Sequence, residues 1–343
     1  MILKKQDLIQ ALEIVKPGLA AKEMIEQSTC FAFMEDRVVT YNDEISISHP
    51  VKNLAIKGAV KAQELYQFLN KIKKDEIDLV ITDNEIQIKV GKEMVGLTLE
   101  EEIKLPLEEV DVSGKWKELP KQFKEAMNLT SLTCSSDMSM PVLTCINVGS
   151  TEKNKVSSCD NHRLTHFTMG EDIPVRSFLL PAASAKELNR YDLTHISKST
   201  KGWVHFKTKE ETIISCRIYE DNYPDISMLS QIENGKKIKF PKSLGEILER
   251  ANIFAKVENS SLIDISITDD KLKIMAKGDG SGWFKTEVNM QYSGDPFSFQ
   301  INAMFLKEIC DKVQTCIISE NKMKFQGDNW EHVLSLQATV GDE

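Results

Sequence analysis

Arginine is scarce in this 343-residue chain. Only Arg37, Arg163, Arg176, Arg190, Arg217 and Arg250 occur, so the 43 basic residues are almost all lysine. Contacts to phosphate would be point-charge ammonium contacts more than bidentate guanidinium forks. A basic excess is also missing, because 52 acidic residues leave a formal net charge of −9. That argues against coating nucleic acid through bulk charge and confines any such site to a local basic surface. No run approaches the ~18 consecutive apolar residues of a membrane helix. The opening MILKKQDLIQALEIV breaks every apolar run with polar residues, unlike a signal peptide. Cysteines at metal or redox spacing are absent. Cys30, Cys134, Cys145, Cys159, Cys216, Cys310 and Cys316 are scattered and odd in number. This pattern suits a reduced, cytoplasmic protein with thiols as small core residues, and no metal, cofactor or disulfide framework is expected. What is present, 41% hydrophobic and 28% charged residues, is an ordinary globular composition with length for two or three domains.

A repeat near 120 residues organises the chain. One helix class reads QDLIQALEIV from Gln6, PKQFKEAMNLT from Pro120 and PKSLGEILERANIF from Pro241, the last two starting 121 residues apart. Leu8, Leu12 and Val15, then Phe123, Met127 and Leu129, then Leu244, Ile247, Leu248 and Ala251 fall at helical spacing. A second class starts at Ala62, Ala182 and Asn302, at intervals of 120 and 120. Short alternating segments lie between, with turns at Asp83-Asn84, Asp269-Asp270 and Gly278-Asp279-Gly280. The expectation is an α+β fold of three two-helix, β-rich domains spanning 1–114, 115–234 and 235–343.

Three further segments carry a likeness to a known family. VSSCDNHRLTHFTM, from Val156 to Met169, resembles the "ATDGHRLA" hairpin of the bacterial β sliding clamp, the DNA polymerase III β subunit. RIYEDNYPDISML, from Arg217, resembles its "DGRFPDY" segment, and FSFQINAMFLKEICDKV, from Phe297, its "FNxxYLxDxL" helix. The resemblance spans nearly the whole chain and identifies it as a divergent member. It implies a clamp fold and a head-to-tail homodimer closing a six-domain ring. That ring would encircle double-stranded DNA without reading sequence. It would also tether the replicative polymerase, and meet the clamp loader, through a short peptide motif, with no catalysis and no membrane.

The resemblance also implies site residues. A partner-peptide pocket between the second and third repeats would use Leu143 on the strand before the hairpin, with His162, Arg163 and Leu164 on the hairpin itself. Pro224, Met228 and Leu229, then Asn302 and Phe305 of the last helix, and Val333, Leu334 and Leu336 of the final strand would complete it. Asn161 stands where the family has glycine, and asparagine tolerates the positive φ such a turn can require. Met228 replaces a frequent basic residue, so the pocket should be greasier and less cationic. Lys22, in the loop after the first helix, matches a family arginine at DNA. Helix-borne candidates for the ring's inner face are Lys71, Lys73, Lys74, Lys121, Lys124, Lys186, Arg190, Lys198, Lys242, Arg250, Lys307 and Lys312. Ring closure would use Val95 and Leu97 of the first repeat against Ile253 and Phe254 of the third.

Two other classes compete. A clamp-fold paralogue would bind replication partners without encircling DNA, and a hydrolase would use Cys159 and His162 as nucleophile and base. Retention on circular DNA separates the first, and loss of activity on Cys159→Ala the second.

Overall fold

Apolar spacing becomes helix where the sequence places it. The computed structural model describes residues 2–51, 54, 56–82, 84–150, 152–198, 201–257, 260–278, 280 and 282–338. Its helices are α1 (Lys5–Val15), α2 (Ala62–Lys71), α3 (Phe123–Thr130), α4 (Ala182–Leu188), α5 (Leu244–Asn252) and α6 (Ala303–Cys310), with one further turn at Leu107–Val110. Each buries its apolar stripe: Leu8, Leu12 and Val15 of α1, Phe123, Met127 and Leu129 of α3, and Leu244, Ile247, Leu248 and Ala251 of α5. Asn302 caps α6, its side-chain oxygen accepting from the Met304 and Phe305 amides at 2.9 and 3.1 Å.

Contacts divide the chain into two compact units, residues 1–124 with 171–221, and 125–170 with 222–343. In the first, one antiparallel sheet runs in the order Ile56–Lys61, Cys30–Glu35, Arg37–Tyr41, Ile45–Pro50, Ile213–Arg217, Trp203–Thr208, Leu193–Lys198, Lys117–Glu118. A smaller sheet orders Ile2–Lys4, Glu76–Thr82, Glu85–Val90 and Glu93–Thr98. In the second unit, Lys155–Cys159, Arg163–Thr168, Trp330–Ser335, Lys322–Gln326, Thr315–Ile318 and Lys236–Lys239 lie side by side in that order. Its other sheet orders Lys256–Val257, Ser260–Thr268, Lys271–Gly278 and Gly282–Asn289, and Phe297–Asn302 pairs with Ser260–Thr268.

Both long sheets join strands far apart in sequence. Ile45 stands opposite Cys216 in one, and Thr165 opposite His332 in the other. The hairpin at Asp269-Asp270 forms as the sequence indicates, whereas Asp83 and Asp279 of the other two turns lie outside the described residues. All seven cysteines are free thiols, and all but Cys134 are buried.

Candidate functional site

The hairpin from Lys155–Cys159 to Arg163–Thr168 builds the centre of the candidate site. Asp160 closes its turn by accepting the His162 and Arg163 amides at 2.7 and 2.9 Å. Positive φ is found at Gln27, Glu35, Asp43, Asp111, Glu211, Asn234 and Asp270 among described non-glycine residues, and not at Asn161. The turn thus survives the glycine-to-asparagine difference without calling on positive φ, because the carboxylate of Asp160 closes it. Arg163 folds onto α6, its guanidinium 3.7 Å from the Phe305 ring centre. Its Nε donates to Asp160 at 3.2 Å, and its Nη1 pairs with Glu308. The His162 ring tilts against Phe305 with centroids 6.2 Å apart.

A cleft of about 130 Å³ opens beside this cluster, lined by His162, Leu262, Gln300, Ile301, Asn302, Phe305, Leu334, Ser335 and Gln337. Four of the twelve expected pocket residues, His162, Asn302, Phe305 and Leu334, thus share one cavity. Arg163 reaches the same place through Phe305.

The others are placed differently. Leu143, Leu164 and Val333 are buried together with Cys159 and Ile226 in a core cluster. Leu143 sits in the 3₁₀ turn Pro141–Thr144 rather than on a strand. Leu336 is buried as well, whereas Pro224 is exposed. Met228 and Leu229 stand out at 67% and 49% exposure on a 3₁₀ turn, Ser227–Ser230. Lys322 and Lys324 pin that turn by donating to the carbonyls of Leu229 and Ser230, each at 3.2 Å. Sequence reasoning missed Leu262, Gln300, Ile301 and Gln337, which line the cleft from two strands and from beyond the final strand.

These placements set which substitutions can probe the cleft. Leu334 is 1% exposed. Leu334→Asp should therefore lower stability by on the order of 4 kcal/mol, through burial of a charge, and a urea titration will register that loss.

Most expected basic residues are on the surface. Lys22, Lys71, Lys73, Lys121, Lys124, Lys186, Arg190, Lys242 and Arg250 are all exposed. Lys71, Lys124, Lys186 and Arg250 lie on helices, and Lys73, Lys121, Arg190 and Lys242 in the turns flanking them. Lys198 departs from the expectation of a helix position. It ends the strand Leu193–Lys198, donates to the Ser177 carbonyl at 2.7 Å, and burial depresses its pKa. Lys307, also expected to be available, is tied to Glu249 at 3.1 Å and Asp311 at 3.0 Å.

The expected closure residues fall at two open strand edges. Val95 and Leu97, on the edge strand Glu93–Thr98, line an apolar groove of about 630 Å³ with Tyr66 and Phe68 of α2. Ile253, just past α5, is 66% exposed. Phe254 lies against Gly282, whose φ of +116° is a conformation that residues with a side chain rarely adopt. The next residue, Trp283, is 69% exposed on the edge strand Gly282–Asn289, a prominent aromatic the sequence reading did not single out.

Cys159 has none of the features of an activated nucleophile. Its thiol is buried, burial pushes its pKa up, and the Tyr223 hydroxyl sits 3.5 Å from the sulfur.

Two antiparallel β-rich units with paired helices on their sheets define the class: the fold is that of the DNA polymerase III beta chains. The chain matches the beta chain from Streptococcus pneumoniae TIGR4 with a TM-score of 0.86 at 18% identity, covering 98% of this chain and 99% of that one. The beta subunit from Streptococcus pyogenes gives 0.85 at 18% identity, with the same coverage. A sliding clamp from Bartonella birtlesii bound to griselimycin gives 0.85 at 15% identity, covering 98% of each chain. No curated protein matches by sequence. Residues 233–335 match the sequence profile of the DNA polymerase III beta subunit, C-terminal domain. Residues 233–335 are thus similar to that subunit's C-terminal domain, and the chain as a whole shares the fold.

Proposed function

We propose that this protein is a sliding clamp, a cytoplasmic, non-enzymatic homodimer that encircles duplex DNA and tethers the replicative polymerase. The domain match at 233–335 carries the reading. Two copies would join head to tail, the open edge Glu93–Thr98 of one meeting Gly282–Asn289 of the other. Val95 and Leu97 would then pack against Ile253, Phe254 and Trp283. Three domains per chain, 1–114, 115–234 and 235–343, would give the ring its six. The cleft beside Phe305 would receive the peptide of a polymerase or clamp loader, since an apolar floor with a polar rim suits an extended segment.

Exposed lysines on helices and in their flanking turns fit backbone contact without base reading, in a chain too acidic to hold DNA by bulk charge. Binding to linear duplex should be weak, indifferent to sequence and steeply reduced by salt. After loading by an ATP-driven loader, retention on nicked circular DNA should survive far more salt and be lost when the circle is cut. Loss from circles and linear duplex at the same salt would defeat the ring reading.

A further inference from the structure

The electrostatics of the cleft point beyond shape. Its floor is apolar, built from Leu262, Ile301, Phe305 and Leu334, and its volume of about 130 Å³ suits one aliphatic side chain. The cation at its lip is already committed. Arg163 is held by Asp160 on one side and Glu308 on the other, flat against Phe305, with its side chain 9% exposed. Opposite, Asp264 pairs across the strands with Gln300 and accepts from that side-chain amide at 2.8 Å. Two carboxylates thus hold one guanidinium beside an apolar hole, and a third is bonded to the lining residue Gln300. An incoming acidic residue would meet an excess of negative charge beside a guanidinium already committed, whereas a basic residue would meet Glu308, which is partly exposed.

We infer that this cleft selects a partner peptide carrying one aliphatic anchor flanked by basic residues, and that Glu308 sets this preference by holding Arg163 out of reach. The inference rests on the reading of the cleft as the peptide site. Glu308 stands on the outer part of α6 and its side chain is 34% exposed, so Glu308→Gln leaves the core untouched while weakening the hold on Arg163.

The test uses three fluorescein-labelled five-residue peptides with a central leucine flanked on both sides by lysine, serine or aspartate. Anisotropy titrations would be run on the wild-type, Glu308→Gln and Phe305→Ala proteins. Affinity should fall from the lysine to the aspartate peptide by roughly tenfold at low ionic strength, and the span should shrink as salt is added. Glu308→Gln should narrow the span to about threefold by improving the aspartate peptide, and Phe305→Ala should weaken all three. Equal affinity for the lysine and aspartate peptides, or an unchanged span in Glu308→Gln, overturns the charge selection. The cleft reading survives that result provided Phe305→Ala still weakens binding. If no peptide binds the folded wild-type protein, the cleft reading fails and takes this inference with it.

Discussion

Leu97→Asp and Trp283→Asp should each convert the proposed dimer into a folded monomer. Both residues stand on edge strands, Leu97 in the groove with Phe68 and Trp283 69% exposed. Either substitution would bury a carboxylate without a partner against an apolar surface, after removing an anchor worth about 2 kcal/mol or more. The dimer dissociation constant should rise by roughly a hundredfold or more. Sedimentation velocity will show the change as a shift to the slower species, with an unaltered circular dichroism spectrum. Trp283→Ala should give an intermediate loss, and a double-mutant cycle with Leu97→Ala should show the two changes to be non-additive. If both aspartate variants sediment as the wild type does, the closure surface lies elsewhere. A monomeric wild type would remove the ring altogether.

Acid should destabilise the fold well above the range where carboxylates protonate. His332 is fully buried and pairs with Thr165 at 2.9 Å across two strands. Burial, with a smaller push from Arg163, lowers its pKa from 6.5 to about 3. His205 is buried against Ser215 at 2.9 Å, and burial lowers its pKa to about 4 despite the opposing pull of Asp111. The unfolded chain binds these protons near pH 6.5 and the folded chain does not. Stability should therefore be full above that value and fall as pH drops towards 4 and then 3. By pH 4.5 each histidine should have removed roughly 2.5 kcal/mol. His166 and His49, also depressed chiefly by burial, act with the same sign. Urea midpoints between pH 7.5 and 4.5 measure the slope, which should lessen in His332→Gln. A flat profile would mean that these imidazoles protonate freely in the folded state.

The helices were legible because their signal is local. Leu8, Leu12 and Val15 must face one way once the segment is helical, and all three are buried. The 120-residue interval made each helix evidence for the others. Long-range pairing left no such trace. Nothing near Ile45 announces that it will lie opposite Cys216, or that Thr165 will meet His332, and it is these joins that produce two contact units. At the cleft, resemblance located the hairpin and α6 but could not distinguish lining from core. Leu143 and Leu164 read as wall residues and are packed around Cys159, because an apolar residue near a pocket has two apolar places to go. Trp283 escaped notice for a related reason: in an alternating strand, sequence does not say which face an aromatic will take. Lys198 was grouped with the helix-borne lysines although it lies beyond the helical segment, on the strand Leu193–Lys198.

The two unlike strand edges have a consequence for assembly. On the proposed closure each subunit has one donor end and one acceptor end, so it is a bifunctional monomer, and head-to-tail bonding can lengthen without limit unless the ends meet. Closure wins here only if the second bond forms between partners already joined, where the effective concentration of the free ends is far above that in solution. The geometry of each join therefore matters as much as its strength. A copy spoiled at one edge alone behaves as a chain stopper. Mixed with a copy spoiled only at the other edge, it should yield an open pair held by a single bond, able to touch DNA and unable to stay on it.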